Sequence, residues 1–243
     1  MERIWDQYLS EHDKAHISAS GHNLRGFGTR PALLMIDLYR WVFGDKPLPL
    51  TEAMDEWPGS CGLAAWDSLP YIQHLLATAR EVGIPVIHVT GLPENESGVL
   101  GWSGITKNGA GRAGYMGDGS KTREDKYDII PEVAPIEGEV FLKKTSPSAF
   151  WGTPVAGHLT ALGVDTIIVA GESTSGCVRA SVVDGCTNRY RMVVAEECVF
   201  DRHEAPHAIN LFDMHSKYAD VLPLQSIVDW MQTWQAPDGF GVS

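Results

Sequence analysis

What this sequence lacks narrows its chemistry before any motif is read. It has no clustered basic face: 19 basic side chains stand against 31 acidic ones, for a formal charge of −12. Phosphate backbones are bound by grouped Lys and Arg, so no nucleic-acid partner is expected. No apolar run comes near the roughly 20 residues that a membrane helix requires. The longest, such as "DTIIVA" and "PALLMI", are far shorter, and no membrane association is expected. Residues 1–16, "MERIWDQYLSEHDKAH", are amphipathic and acid-rich rather than basic and then apolar, so the cytoplasm is the expected compartment. Only four cysteines occur, at positions 61, 177, 186 and 198, with no CxxC pair. That spacing argues against structural zinc and against a disulfide framework, and favours reduced thiols.

What is present is the rhythm of an α/β protein. Continuous Val/Ile/Leu runs, which mark strands covered on both faces, lie at 31–38, 84–90, 138–144, 165–171 and 191–197, with a weaker one at 219–224. Helical spacing alternates with them. "LAAWDSLPYIQHLLATAREVG" stops at Gly83, and "TPVAGHLTALGV" opens with Thr153 as N-cap and Pro154 at the first helical position. "CVRASVVDGCTNRY", "PHAINLFDMHSKY" and "QSIVDWMQTW" complete the set. The alternation predicts a three-layer α/β sandwich with a parallel sheet, built as one domain over residues 1–243. Residues 91–136 interrupt it with a long stretch rich in glycine and charge, the pattern of a lid, an interface arm or a binding loop, where Trp102 and Tyr115 could cover a site.

Two tempting patterns fail on context. "GAGRAG" at 109–114 fits a dinucleotide-binding expression but has no strand before it and no helix after it. "HEAPH" at 203–207 fits a zinc-protease expression that needs both histidines on one continuous helix. Proline in a helix interior costs about 3 kcal/mol. Pro206 is therefore expected to begin a helix that leaves His203 outside.

Ligands of open parallel sheets bind beyond the carboxyl ends of the strands, so reactive residues at strand ends are the candidates. Asp37 follows "ALLMI" directly, where desolvation raises a carboxyl pKa. Lys143 and Lys144 end "EVFL" and point to opposite faces, so at most one enters a site there. Cys177 opens the helix after the fourth run, where amide dipoles favour a thiolate of lowered pKa. Cys186 lies about 900° further around that helix and is expected to pack as a small apolar residue.

Taken together, "LLMIDLYRWV", "FLKKTSPSAFWGT" and "GESTSGCVRAS" resemble, in order over residues 28–224, the cysteine hydrolases of the isochorismatase-like family. "TSGCVRA" followed by "DRHEAPHAINLFDMHSKYADV" most resembles the branch of N-carbamoylsarcosine amidases and maleamate amidases. The resemblance implies a sheet of order 3-2-1-4-5-6, a homodimer or homotetramer, and a catalytic set of Asp37, Lys144 and Cys177. It also implies a cis peptide bond between Glu172 and Ser173, with the backbone amides of Ser173 and Cys177 as an oxyanion hole. With Tyr39 two residues beyond Asp37, it implies no metal, and no cofactor is expected. Cys177 argues against vinyl-ether hydrolysis, because the isochorismatases proper lack that nucleophile.

The implied chemistry is hydrolysis of a small linear amide or ureido acid through a thioester. Arg202 and Thr174 are the expected substrate contacts. A guanidinium matches a carboxylate bidentately, while a salt bridge from Arg202 to Asp201 or Glu204 is the plainer alternative. Arg179 is expected to serve packing or an interface. N-carbamoylsarcosine leads the candidate substrates, with maleamate, ureidoacrylate and biuret-like ureas beside it. A non-catalytic binding module or a thiol sensor on the same fold would tolerate replacement of Asp37 and Lys144, which a hydrolase cannot.

Overall fold

The computed structural model describes residues 3–21, 24–92 and 124–240. Six strands, β1 (Pro31–Ile36), β2 (Val86–Gly91), β3 (Val140–Lys144), β4 (Thr166–Glu172), β5 (Arg191–Phe200) and β6 (Asp220–Leu222), form one sheet. Every pairing is parallel, in the order β3-β2-β1-β4-β5-β6. The α-helices among the described residues are α1 (Glu11–Ser20), α2 (Arg40–Phe43), α3 (Leu50–Glu56), α4 (Leu63–Val82), α5 (Val155–Ala161), α6 (Arg179–Thr187), α7 (Glu204–Lys217) and α8 (Leu224–Thr233). None among the described residues is long and apolar enough to cross a membrane.

Side chains alternate along a strand, so a run such as "PALLMI" must fill two cores at once. It does. Leu33 and Met35 pack with Ile72 and Leu75 of α4 and Ile227 of α8. Ala32, Leu34 and Ile36 pack on the other face with Leu159 of α5, Val182 of α6 and Leu211 of α7. Burial of both faces is what made these strands unbroken apolar runs.

Several boundaries differ from expectation, and three of them show why. Strand β5 continues to Phe200, past Glu196 and Glu197, which hid the extension by interrupting the apolar run. Glu196 pairs with Arg3 at 3.0 Å and Glu197 accepts the Leu224 amide at 2.7 Å. Between Val169 and Gly171 of β4, β5 advances from Val194 to Val199, a bulge that resumes pairing at the sheet's rim. Helix α7 begins at Glu204 with His203 as N-cap, so Pro206 lies inside the first turn rather than at its start. The first turn has no carbonyl partners for its N–H groups, which is why proline is tolerated there. Helix α5 begins one residue later than expected, yet Thr153 Oγ1 accepts the Val155 amide at 3.2 Å, the hydrogen bond of an N-cap.

Of the interrupting segment 91–136, residues 124–136 carry two short 3-10 turns, Glu124–Tyr127 and Pro131–Val133. Trp102, Tyr115 and "GAGRAG" lie outside the described residues. The centre of the sheet is tight at one point: a Cβ on Gly171, whose φ is +126°, would stand 1.9 Å from the Ile36 carbonyl oxygen. Only glycine allows β4 to approach β1 so closely at the carboxyl rim.

Candidate active site

The chain leaves β1 at Asp37 with φ +54°, a left-handed conformation that is costly for a residue with a Cβ. The Asp37 amide donates to the Val89 carbonyl at 2.8 Å, which fixes the turn. Its carboxylate is fully buried and accepts no well-aligned hydrogen bond. Lys144 supplies the compensating charge, with Nζ 2.7 Å from Asp37 Oδ2. Burial raises the Asp37 pKa, against the pull of that ammonium.

Lys144 is buried at the end of β3 and Lys143 is exposed, as the two-residue period requires of neighbours. Lys144 Nζ also donates to the Ser146 carbonyl at 3.1 Å and to Cys177 Sγ at 3.3 Å. Burial alone would lower the Lys144 pKa, but Asp37 and Cys177 hold it above the ordinary value. One ammonium thus bridges a buried carboxylate and a sulfur brought from three separate strands' ends.

Cys177 sits in a wide turn, Thr174–Val178, that precedes α6. Gly176 and Val178 both donate to the Ser173 carbonyl, at 2.9 and 3.1 Å, and the Glu172–Ser173 peptide bond is cis. The expectation of a lowered thiol pKa is corrected here. Burial pushes the Cys177 thiol up; Lys144 opposes this, but Asp37 and Glu172 add to it. Desolvation and two carboxylates outweigh the one ammonium, so the thiol pKa lies above its ordinary value. Cys186 is half-buried, as expected of a packing residue, though against the same core cluster as Cys177.

The two expected substrate contacts already have protein partners. Arg202 Nη1 donates to Glu172 Oε1 at 2.6 Å and Nη2 donates to the Gly59 carbonyl. Its ion-pair partner is therefore Glu172, whereas Asp201 Oδ1 accepts only the Arg202 backbone amide, at 2.8 Å. Thr174 is fully buried, its Oγ1 2.8 Å from His207 Nδ1. Arg179 pairs with Asp213 of α7 at 3.2 Å.

Sequence reasoning missed Glu172, Asp201, Ser175 and His207. Glu172 carried a usable signal: like Asp37, it is a carboxylate at the end of a fully apolar strand. It is buried, burial raises its pKa against the pull of Arg202, and the Cys61 thiol approaches Oε1 at 3.7 Å. The two histidines of "HEAPH" part company: His203 is exposed, while His207 turns toward Thr174. Among the described residues, no group of three or more His, Cys, Asp or Glu side chains gathers as a metal site.

Comparison with known proteins places this geometry. The chain is 37% identical over 208 residues to a maleamate amidohydrolase of Pseudomonas putida, covering 85% of this chain and 89% of that protein. It is 30% identical over 210 residues to an N-carbamoylsarcosine amidase of an Arthrobacter species, covering 85% and 73%. A solved isochorismatase family protein from Desulfovibrio vulgaris superposes with a TM-score of 0.64 at 26% identity, over 84% of this chain and 100% of that one. The isochorismatase domain matches residues 31–226, which spans β1 through the first turn of α8 and takes in Asp37, Lys144 and Cys177. On these grounds the chain belongs to the isochorismatase family.

Proposed function

We propose that this protein is a cysteine-dependent amidohydrolase that releases ammonia from a small linear amide or ureido acid. One observation carries the reading: Lys144 Nζ stands 2.7 Å from Asp37 and 3.3 Å from Cys177 inside a single buried cluster. A thiol with a raised pKa needs a base at hand, and a desolvated carboxylate is a stronger base than one in water.

In the mechanism we infer, Asp37 takes the proton of the Cys177 thiol as sulfur attacks the amide carbon. Lys144 stabilises the thiolate as it forms. The carbonyl electrons move to oxygen, and the backbone N–H groups of Ser173 and Cys177 are assigned to hold that oxyanion. One such donor contributes about 3 to 4 kcal/mol in other hydrolases. When the carbon–nitrogen bond breaks, Asp37 returns the proton to nitrogen, ammonia departs and a thioester remains. Asp37 then deprotonates a water that attacks the thioester, releasing the acid and restoring the thiol.

The named relatives support a substrate with a terminal carboxamide or carbamoyl group and a carboxylate some atoms away, such as maleamate or N-carbamoylsarcosine. We assign Arg202 to that carboxylate. The planar guanidinium matches a carboxylate bidentately, and Arg202 is held beside Glu172, at the end of the strand that leads into the turn of Cys177. The test is ammonia release over a panel of maleamate, N-carbamoylsarcosine, ureidoacrylate and biuret. Turnover of at least one that falls by about 10⁴-fold or more in Cys177→Ala is expected. Turnover that survives this change, or none on any small amide, refutes the proposal.

A further inference from the structure

Every residue of the segment "DRHEAPH" that reaches inward holds the nucleophile's turn. Asp201 Oδ2 accepts both the backbone amide and the hydroxyl of Ser175, at 2.8 and 2.6 Å. Its other oxygen accepts the Arg202 amide at 2.8 Å, which locks the carboxylate in place. Arg202 itself grips Glu172, the last residue of β4, at 2.6 Å. His207, three residues into α7 beyond its first, meets the Thr174 hydroxyl at 2.8 Å. Glu172, Thr174 and Ser175 are thus each fastened from outside, within a span that ends two residues before Cys177.

From within, the turn is held by the Gly176 and Val178 amides on the Ser173 carbonyl, and from α6 by the Ser181 hydroxyl, which donates to the Cys177 carbonyl at 2.7 Å. Gly176 has φ −113° and ψ −105°, outside helical geometry, so regular α-helical bonding does not pass through it. Glycine at that point makes the backbone locally permissive. The segment 201–207 reaches the turn only because β5 bulges and then resumes pairing, with Phe200 opposite Glu172. The buried Thr174 hydroxyl meets His207 and the Ser175 hydroxyl donates to Asp201, so both are engaged by the protein itself.

We propose that Asp201 and His207 are positioning residues. They act through Ser175 and Thr174 to hold Cys177 Sγ against Lys144 and Asp37, without touching substrate. This rests on the hydrolase reading for its kinetic consequences, but it also predicts the behaviour of the thiol itself. In the held state the titration of Cys177 is coupled to burial, Lys144, Asp37 and Glu172. Once released, Cys177 titrates as an ordinary thiol near pH 8.5.

The test uses the full chain and three variants, Thr174→Val, His207→Phe and Asp201→Asn, with the Thr174→Val/His207→Phe double variant. Valine matches the shape of threonine, and thermal melting identifies variants that retain the fold. Site-resolved alkylation of Cys177 by iodoacetamide is followed against pH. Each single variant is expected to move the profile toward that of a free thiol. A displacement of about 1 Å can cost about 10²-fold in turnover, so a comparable fall in kcat with KM within about twofold is expected on any amide the wild type hydrolyses. The double variant is expected to be no slower than the worse single, because both changes remove one contact.

Folded variants with the wild-type alkylation profile overturn the proposal, as do losses in kcat that multiply in the double variant. If the wild type hydrolyses no amide, the functional reading falls while the alkylation profiles still decide whether the segment holds the turn.

Discussion

Two clusters of buried charge lie on neighbouring strands of this sheet, and they are built in opposite ways. In one, Glu139 receives Arg80 through Nε and Nη2 at 2.8 and 2.9 Å, the Ile136 amide at 3.0 Å, and faces His88 Nε2 at 2.9 Å. Although burial by itself raises a carboxyl pKa, these donors hold Glu139 below its usual value. In the other, Asp37 is more deeply buried, accepts no well-aligned hydrogen bond, and among the described residues has Lys144 as its close cation, with the Cys177 thiol beside it. The Asp37 pKa is raised. A carboxylate surrounded by donors is inert, whereas one left with a single cation keeps its appetite for a proton. The first cluster is built as a support of the fold, and the second is the one to which we assign the chemistry.

Exchanging the amide for the acid at each centre breaks the comparison most sharply. Asp37→Asn is expected to lower kcat by about 10²- to 10⁴-fold, the share that proton transfer by a placed group contributes. Folding stability is expected to fall as well, because the change leaves the buried Lys144 ammonium without its counter-ion. Steady-state kinetics beside denaturant titration reads both quantities. A variant that is strongly destabilised yet keeps its turnover would assign Asp37 to the fold.

Glu139→Gln is the mirror experiment. Hydrogen bonds to charged groups contribute about 1.5 to 3 kcal/mol, so a loss of about 2 kcal/mol or more is expected with kcat nearly unchanged. The urea midpoint and kcat measured on one preparation check it. Loss of turnover without loss of stability would erase the contrast between the clusters.

The smallest effect is on the pH dependence of stability. Burial lowers the His88 pKa from 6.5, with Glu139 pulling the other way, so the folded state keeps His88 neutral where the unfolded chain begins to protonate. His88 therefore contributes stability that is present above pH 6.5 and lost as pH falls toward its folded value. Glu139, with a lowered pKa, adds to that loss below its unfolded value of 4.5. Asp37 works in the reverse sense: its raised pKa favours the fold below 3.8 and this is lost as pH rises through the folded value. Chemical denaturation across pH 4 to 7 should show stability declining toward acid, and His88→Leu should flatten the upper part of that decline. An unchanged slope in that variant would mean that His88 binds its proton equally in the folded and unfolded chain.

Much of the sheet was legible because a strand buried on both faces writes itself as an unbroken apolar run. Asp37 was legible because it follows such a run directly, and Cys177 because it lies where the helix after the fourth run was expected to begin. Between Lys143 and Lys144 the period alone left the choice open, and burial of Lys144 at the end of β3 separates them. The end of β5 was not legible, since Glu196 and Glu197 look like solvent until Arg3 and the α8 terminus are seen to meet them. Nor was the direction of the Cys177 pKa. Local sequence offered a helix start, and the structure added Glu172 and Asp37, which no reading along the chain could bring near.

By itself, then, the sequence determined periodicity and strand ends: six runs, the helices between them, and an acid and a thiol at the carboxyl rim. Both are local properties, governed by how side chains alternate along a backbone. Only tertiary structure decided that Arg202 pairs with Glu172, that Asp201 and His207 reach the turn that carries Cys177, and that burial and nearby carboxylates raise the thiol pKa. Those outcomes depend on desolvation and Coulomb interaction through space. Such distances are fixed by which strands pair and where one of them bulges.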